Sequence, residues 1–192
     1  MYNWKELLDY INGEIAGMSF ERQPAELYAP IRYVLSMGGK RIRPVLMLMA
    51  YNLYKEKVEV IRSQAMAIEI YHNYTLLHDD LMDRADMRRG MATVHKKWDD
   101  NAAILSGDSM LVMAYRYMQQ GCPMEQLGNV MGLFTETALE IGEGQQYDIE
   151  FETRADVSEE EYIEMIRLKT SVLLACALKI GAWLGDAPRQ DA

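Results

Sequence analysis

Apolar residues recur at helical spacing along this chain, and strand-like alternation persists nowhere in it. That pattern restricts the fold to helix packed on helix. Residues 3–16 are amphipathic, with Leu7, Leu8 and Ile11 on one stripe. Pro24 sits where a first helical turn tolerates it, and the second helix runs to Met37, where Gly38-Gly39 stop it. A third helix follows Pro44 through Val45-Leu46-Met47-Leu48-Met49. Residues 58–82 read as one long helix ending at a run of aspartates, and the segment from Gly90 to Lys97 as a loop. Helices over about 99–119 and 123–147 are split by Gly121-Cys122-Pro123. After a polar, acidic loop, Ser158-Glu159-Glu160-Glu161 has the form of a capping box and opens a last helix running to about Leu184. There is no repeat and no low-complexity segment. The expectation is a single all-helical domain over residues 1–192, a length sufficient for one real core.

A formal net charge of −9 excludes nonspecific nucleic-acid binding, which needs a basic face. It also sets off the local basic clusters, which run against the global sign. No apolar run reaches the length of a membrane span and no signal peptide opens the chain, so no membrane span is expected. The two cysteines, Cys122 and Cys176, stand in no CxxC or Cys/His spacing. A disulfide framework or zinc site is therefore not expected, and a reducing cytoplasm is. The methionines read as core filler.

Chemistry concentrates in His78-Asp79-Asp80-Leu81-Met82-Asp83, followed by Arg88-Arg89-Gly90. Asp79 and Asp83 are four apart, so on a helix both carboxylates leave from one face. Like charges at that spacing cost a bare helix a few tenths of a kcal/mol, roughly. A cation between them would justify the pair, and oxygen-only ligands suit Mg2+, which fills its shell with water and phosphate. Arg88 and Arg89 could grip those phosphates with planar forks, or pair with Asp86 as a surface cluster. His72 and Leu76 lie on the same stripe as the aspartates. The plainer alternative is a solvated acidic helix end with a core histidine. Gly38-Gly39-Lys40-Arg41-Ile42-Arg43-Pro44 places three cations in a glycine loop before a helix, either an anion site or a basic surface loop. Lys169-Thr170 lies among Met165, Ile166, Val172 and Leu173, so the lysine must snorkel or find an anion. Gly144-Gln145-Gln146-Tyr147-Asp148 reads as a polar helix terminus.

Taken together and in order, these motifs resemble those of the trans-polyprenyl diphosphate synthases, the head-to-tail isoprenoid chain elongators. Gly38 to Pro44 is similar to that family's basic motif, and His78 to Gly90 to its first aspartate-rich motif with the trailing Arg-Arg-Gly. Gly144-Gln145 with Asp148, and Lys169-Thr170, are similar to two further positions. The resemblance spans about residues 28–185. It implies an isoprenoid synthase-type helical bundle, incomplete at the C-terminus. It implies a prenyltransferase that condenses an allylic diphosphate with isopentenyl diphosphate, with Mg2+ as cofactor. Asp79 and Asp83 would be the metal ligands, with Asp80 close by. Arg88, Lys169 and Thr170 would hold the allylic diphosphate. Lys40, Arg43, His72 and Arg89 would clamp isopentenyl diphosphate. Tyr74, five residues before Asp79, and the smaller Thr75 would set chain length, an aromatic floor capping the product early, at about fifteen to twenty carbons by analogy with the helix spacing.

The resemblance also implies a second aspartate-rich helix downstream of Lys169-Thr170, and no such run follows that pair up to Ala192. The sequence thus resembles the N-terminal part of a synthase. The expectations are doubtful full catalysis by this chain alone, exposed apolar helix faces, poor solubility or self-association, and a homodimer or partner subunit contacting about 99–147. Two other readings stay open: a non-catalytic partner subunit that keeps the fold, and a terpene cyclase or head-to-head synthase, which has no use for an isopentenyl clamp at Lys40 and Arg43.

Overall fold

A computed structural model of the protein describes residues 1–188. Helix α1 spans Trp4–Ala16 and opens on a capping box, in which Asn3 and Glu6 satisfy each other's backbone N–H groups. Its buried stripe is Leu7, Ile11 and Ile15. Helix α2 spans Ala25–Ser36 with Pro24 as its N-cap. Helix α3, Ile42–Asn52, begins before Pro44 rather than after it. The proline occupies the first turn, where a missing N–H leaves no gap in the ladder.

The long helix expected over 58–82 is two elements. Val58–Ile61 wind as a 3-10 turn, and α4 runs from Arg62 to Met82. Three of those four residues are β-branched, which weakens the α-helix. Val58 and Ile61, three apart, both reach the core from the tighter turn. Nor is the segment after the aspartates a simple loop. It contains an antiparallel hairpin, β1 Met87–Arg88 paired with β2 Met91–Ala92, and then a short helix, α5, Val94–Lys97. Helix α6 spans Asp100–Gln119, capped by the Asp99 side chain. Helix α7 spans Met124–Phe151, so Gly144 to Asp148 lie inside a helix and do not end one. Helix α8, Glu159–Ile166, starts at the expected Ser158–Glu161 capping box. It passes through a π turn at Arg167–Ser171 into α9, Val172–Leu184.

The core is one cluster to which α1, α2, α3, α4, α6, α7 and α9 all contribute buried side chains. Helix α4 is its axis, with α6 packed along it and α3 packed on α9. Two glycines set these close approaches. A Cβ on Gly107 of α6 would run into the His78 ring of α4. A Cβ on Gly181 of α9 would run into the Met47 carbonyl of α3. Both cysteines are free thiols. No described helix is long and apolar enough to cross a membrane.

Gly181→Ala should therefore destabilise the fold by about 1–3 kcal/mol through overpacking. Thermal melting followed by circular dichroism checks this; an unchanged midpoint would contradict the α3–α9 contact.

Candidate active site

The last turn of α4 carries the acids on a helix whose body is buried. Asp80 is 5 % exposed and accepts two hydrogen bonds from Arg88 Nε, at 2.8 and 2.7 Å. Asp79 accepts from Lys169 Nζ at 3.0 Å and lies 3.6 Å from Arg88 Nη2. Lys169 also donates to Asp148 of α7 at 2.5 Å, so it does not simply snorkel: it bridges two carboxylates from two helices. The π turn brings this about. Its backbone lies so close to α7 that a Cβ on Gly144 would strike Lys169 N, which explains a glycine in mid-helix despite its cost of about 1 kcal/mol.

Asp83 makes no ion pair among the described residues. Burial, then the neighbouring Asp79, push its carboxyl above the usual range. Two carboxylates repelling one another one turn apart fit a hard divalent ion, which takes one or two carboxylates and completes its shell with water and phosphate. No group of three or more His, Cys, Asp or Glu that could hold a metal ion occurs among the described residues.

The hairpin aims the two arginines differently. Arg89 and Gly90 both have positive φ, 52° and 77°, the signature of a type I′ turn. Arg88, on the strand, turns back to Asp80, while Arg89, at the tip, donates to the Gly38 carbonyl of the basic loop. The alternative pairing of these arginines with Asp86 is not found; Lys96 takes Asp86 at 2.8 Å.

Two cavities lie side by side. The first, about 350 Å³, is walled by α4, α7 and the π turn and takes in Tyr74, Thr75, Asp79, Lys169 and Thr170. Three rings line it together: Tyr74 packs edge-on against His78 at 4.9 Å between ring centroids, and Tyr71 stands 5.4 Å from Tyr74. The second, about 530 Å³, is lined by Lys40, Arg41, Glu69 and Arg89 among others. Arg43 and His72 line both and form the partition. Arg43 Nη1 lies 3.3 Å from His72 Nε2. A guanidinium can only donate, so Nε2 accepts and the ring proton sits on Nδ1. Burial, then Arg43, Arg89, Arg88 and Arg41, push the His72 pKa down to about 3.

The sequence-expected residues therefore divide. Lys40, Arg43, His72 and Arg89 meet in one cavity; Asp79, Lys169, Thr170, Tyr74 and Thr75 meet in the other. Asp80, Asp83 and Arg88 line neither, and Asp80 and Arg88 satisfy each other beside the acidic end. Glu69, Arg41 and Asp148 enter the site as partners that no local motif marks: Glu69 holds Arg41, and Asp148 holds Lys169. Glu69 could have been noticed as an acid three residues before His72 in an apolar run.

The family described as polyprenyl synthetase matches residues 24–192. The chain is 45 % identical over 167 residues to a geranylgeranyl diphosphate synthase of Methanosarcina mazei, covering 86 % of this chain and 51 % of that protein. It is 38 % identical over 197 residues to a geranylfarnesyl diphosphate synthase of Natronomonas pharaonis, covering 93 % and 58 %. A crystal structure of a geranylgeranyl pyrophosphate synthase superposes with a TM-score of 0.94 at 47 % identity, over 100 % of this chain and 58 % of that one. The helical bundle is thus that of isoprenoid synthases, and the chain spans about half the length of the curated relatives it matches.

The state of His72 is open to measurement. Its folded pKa lies below the ordinary 6.5, so its neutral form contributes stability that is full above that value and is lost as pH falls toward 3. Its ring C–H resonances should stay flat in NMR spectra between pH 8 and 5; a titration midpoint near 6.5 would show that the ring is not held neutral.

Proposed function

Because the chain belongs to the polyprenyl synthetase family, we propose that its two cavities hold the two substrates of a head-to-tail prenyl transfer, an allylic diphosphate in the first and isopentenyl diphosphate in the second. The observation that supports this best is the shared partition: an apolar cavity ending at Asp79 and Lys169 is separated from a basic one only by Arg43 and His72. Around the second cavity Lys40, Arg43 and Arg89 face one diphosphate, while Arg41 is taken up by Glu69. Lys169, with Thr170 beside it, lines the first cavity, and Arg88, 3.6 Å from Asp79, would reach the first diphosphate from beside it. Asp79 and Asp83 would hold Mg2+, whose part when bound is to neutralise the charge that develops on the departing diphosphate.

In the proposed reaction the allylic C–O bond breaks and its electron pair leaves with the diphosphate. The isopentenyl double bond supplies the pair for the new C–C bond, and a proton then leaves the adjacent carbon. Lys169 and Arg88 stabilise the leaving anion from fixed positions. The walls formed by Tyr71, Leu76, Ile141 and Leu173 keep water from the allylic cation. Tyr74 and His78 would stop growth early; the expected product of about fifteen to twenty carbons, by the same helix-spacing analogy, meets relatives named for geranylgeranyl products at its upper end and falls short of one named for a geranylfarnesyl product. Exposed Leu105 and Val112, seven residues apart on α6, and Leu139 on α7 suit the expected pairing with a second subunit. The activity is proposed of the protein to which these residues belong.

Incubation with geranyl diphosphate, isopentenyl diphosphate and Mg2+ should give a longer prenyl diphosphate. Asp79→Asn should reduce the rate at least tenfold. Turnover of the allylic substrate alone would favour a cyclase instead, and binding of both substrates without turnover a partner subunit. Tyr74→Ala should shift the product distribution upward by one or more five-carbon units, read by chromatography of the dephosphorylated products; an unchanged distribution in an active variant would dismiss Tyr74 as the floor.

A further inference from the structure

The loop that carries Lys40 is held in an unusual conformation. Gly38, Gly39 and Arg41 all have positive φ, at 75°, 140° and 48°. Glycine adopts this freely; arginine does so at a cost that its surroundings can offset. Arg41 has such surroundings. Its Nη1 donates to Glu69 Oε1 at 2.5 Å, its Nη2 to the Leu35 carbonyl at 2.9 Å, and its Nε to Asn12 Oδ1 at 3.3 Å. Arg41 is 5 % exposed and Glu69 2 %. Asn73 Nδ2 donates to the same Glu69 oxygen at 2.8 Å, fixing the carboxylate from its own helix.

Whatever holds Arg41 holds the rest of the basic cavity. Lys40 precedes it, and Arg43 lies in the first turn of α3, of which Arg41 is the N-cap. Arg89 donates to the Gly38 carbonyl and packs on Gly39 so closely that a Cβ there would stand 2.8 Å from its Nη1.

We propose that Glu69 is a positioning residue of the clamp: through Arg41 it holds the 38–41 loop, and so Lys40, Arg43 and Arg89, in the arrangement that receives a diphosphate. The inference rests on the reading of the second cavity as a diphosphate site, and it makes a prediction of contrary sign to simple charge counting. Glu69 is the one carboxylate among the residues lining that cavity. Counting charges, its removal would tighten the grip on an anion; losing the anchor of the loop would weaken it.

A buried ion pair could also serve stability alone. Two variants separate the cases, because a buried pair replaced on both sides by apolar residues often leaves stability unchanged or raised, whereas removing one partner strands a charge. The measurement is calorimetric titration with isopentenyl diphosphate in the presence of a chelator, so that binding independent of metal is read, with a thermal melt of each variant. The wild type should bind, and Lys40→Gln should weaken that binding. No binding by the wild type would overturn the clamp and the inference with it, while a wild type that binds leaves the clamp standing whatever the Glu69 variants do. Glu69→Gln should bind at least tenfold more weakly. Arg41→Met/Glu69→Leu should melt close to the wild type and yet bind as weakly as Glu69→Gln; it carries the comparison if the single variant fails to fold. Glu69→Gln binding as tightly as the wild type, or more tightly, overturns the proposal. So does a double variant that recovers both melting temperature and affinity, since the network would then be structural only.

Discussion

The working face depends on the burial of α4. A helix surrounded by other elements cannot leave its polar side chains to water, and each unpartnered buried group costs about 1–3 kcal/mol. Most buried polar residues on α4 accordingly draw in a partner from elsewhere, while Asn73 is satisfied by Glu69 of the same helix. Gln64 donates to the Met118 and Gln120 carbonyls at the end of α6. Glu69 takes Arg41, His72 takes Arg43, and Asp80 takes Arg88. Asp79, half-buried at the same end, takes Lys169. Three basic segments that are distant in sequence are brought to one helix by the same requirement.

That requirement also explains the backbone strain. Arg41 and Arg89 both adopt left-handed φ, at an expense of roughly 1–2 kcal/mol each for a residue with a Cβ. Each has a glycine within two residues, Gly39 before Arg41 and Gly90 after Arg89, and each has its guanidinium fixed by a buried or closely packed acceptor. In a protein of net charge −9, cations that ordinary surface pairing would consume are instead set by backbone geometry where carboxylates are few. Arg84, by contrast, also left-handed, spends its charge on the exposed Asp100 and contributes nothing to either cavity.

How far the sequence could be read follows from how local each signal is. The capping box at Ser158–Glu161 depends on residues within one turn, and the structure contains it; of the stripe His72, Asp79 and Asp83, the first two line one cavity and Asp83 caps the helix outside it. The hairpin at Met87–Ala92 was not legible, because two-residue strands are too short to alternate. Gly144 looked like a helix end, and only the approach of the Lys169 backbone reveals why a helix keeps it. Asp148 could not be matched to Lys169 from sequence, since the two meet only because α7 packs against the π turn. Asp80 and Arg88 were read as functional from their motif; their mutual pairing, eight residues apart across a turn, shows how the second aspartate sets the direction of the arginine.

His72 joins these observations to chemistry. It stands in the partition between a cavity whose charge is positive and one whose walls are largely apolar, and its neutral ring accepts from Arg43. Were the ring protonated, Nε2 would present a hydrogen to a guanidinium that can only donate, and the partition would gain a charge in a buried setting. On the proposed reaction that charge would face the developing allylic cation and raise the barrier to ionisation. Burial and four arginines keep the proton off. The same cations that suit the basic cavity to an anion thus keep the His72 ring in the shared partition neutral, so the two cavities are coupled in their electrostatics as well as in their geometry.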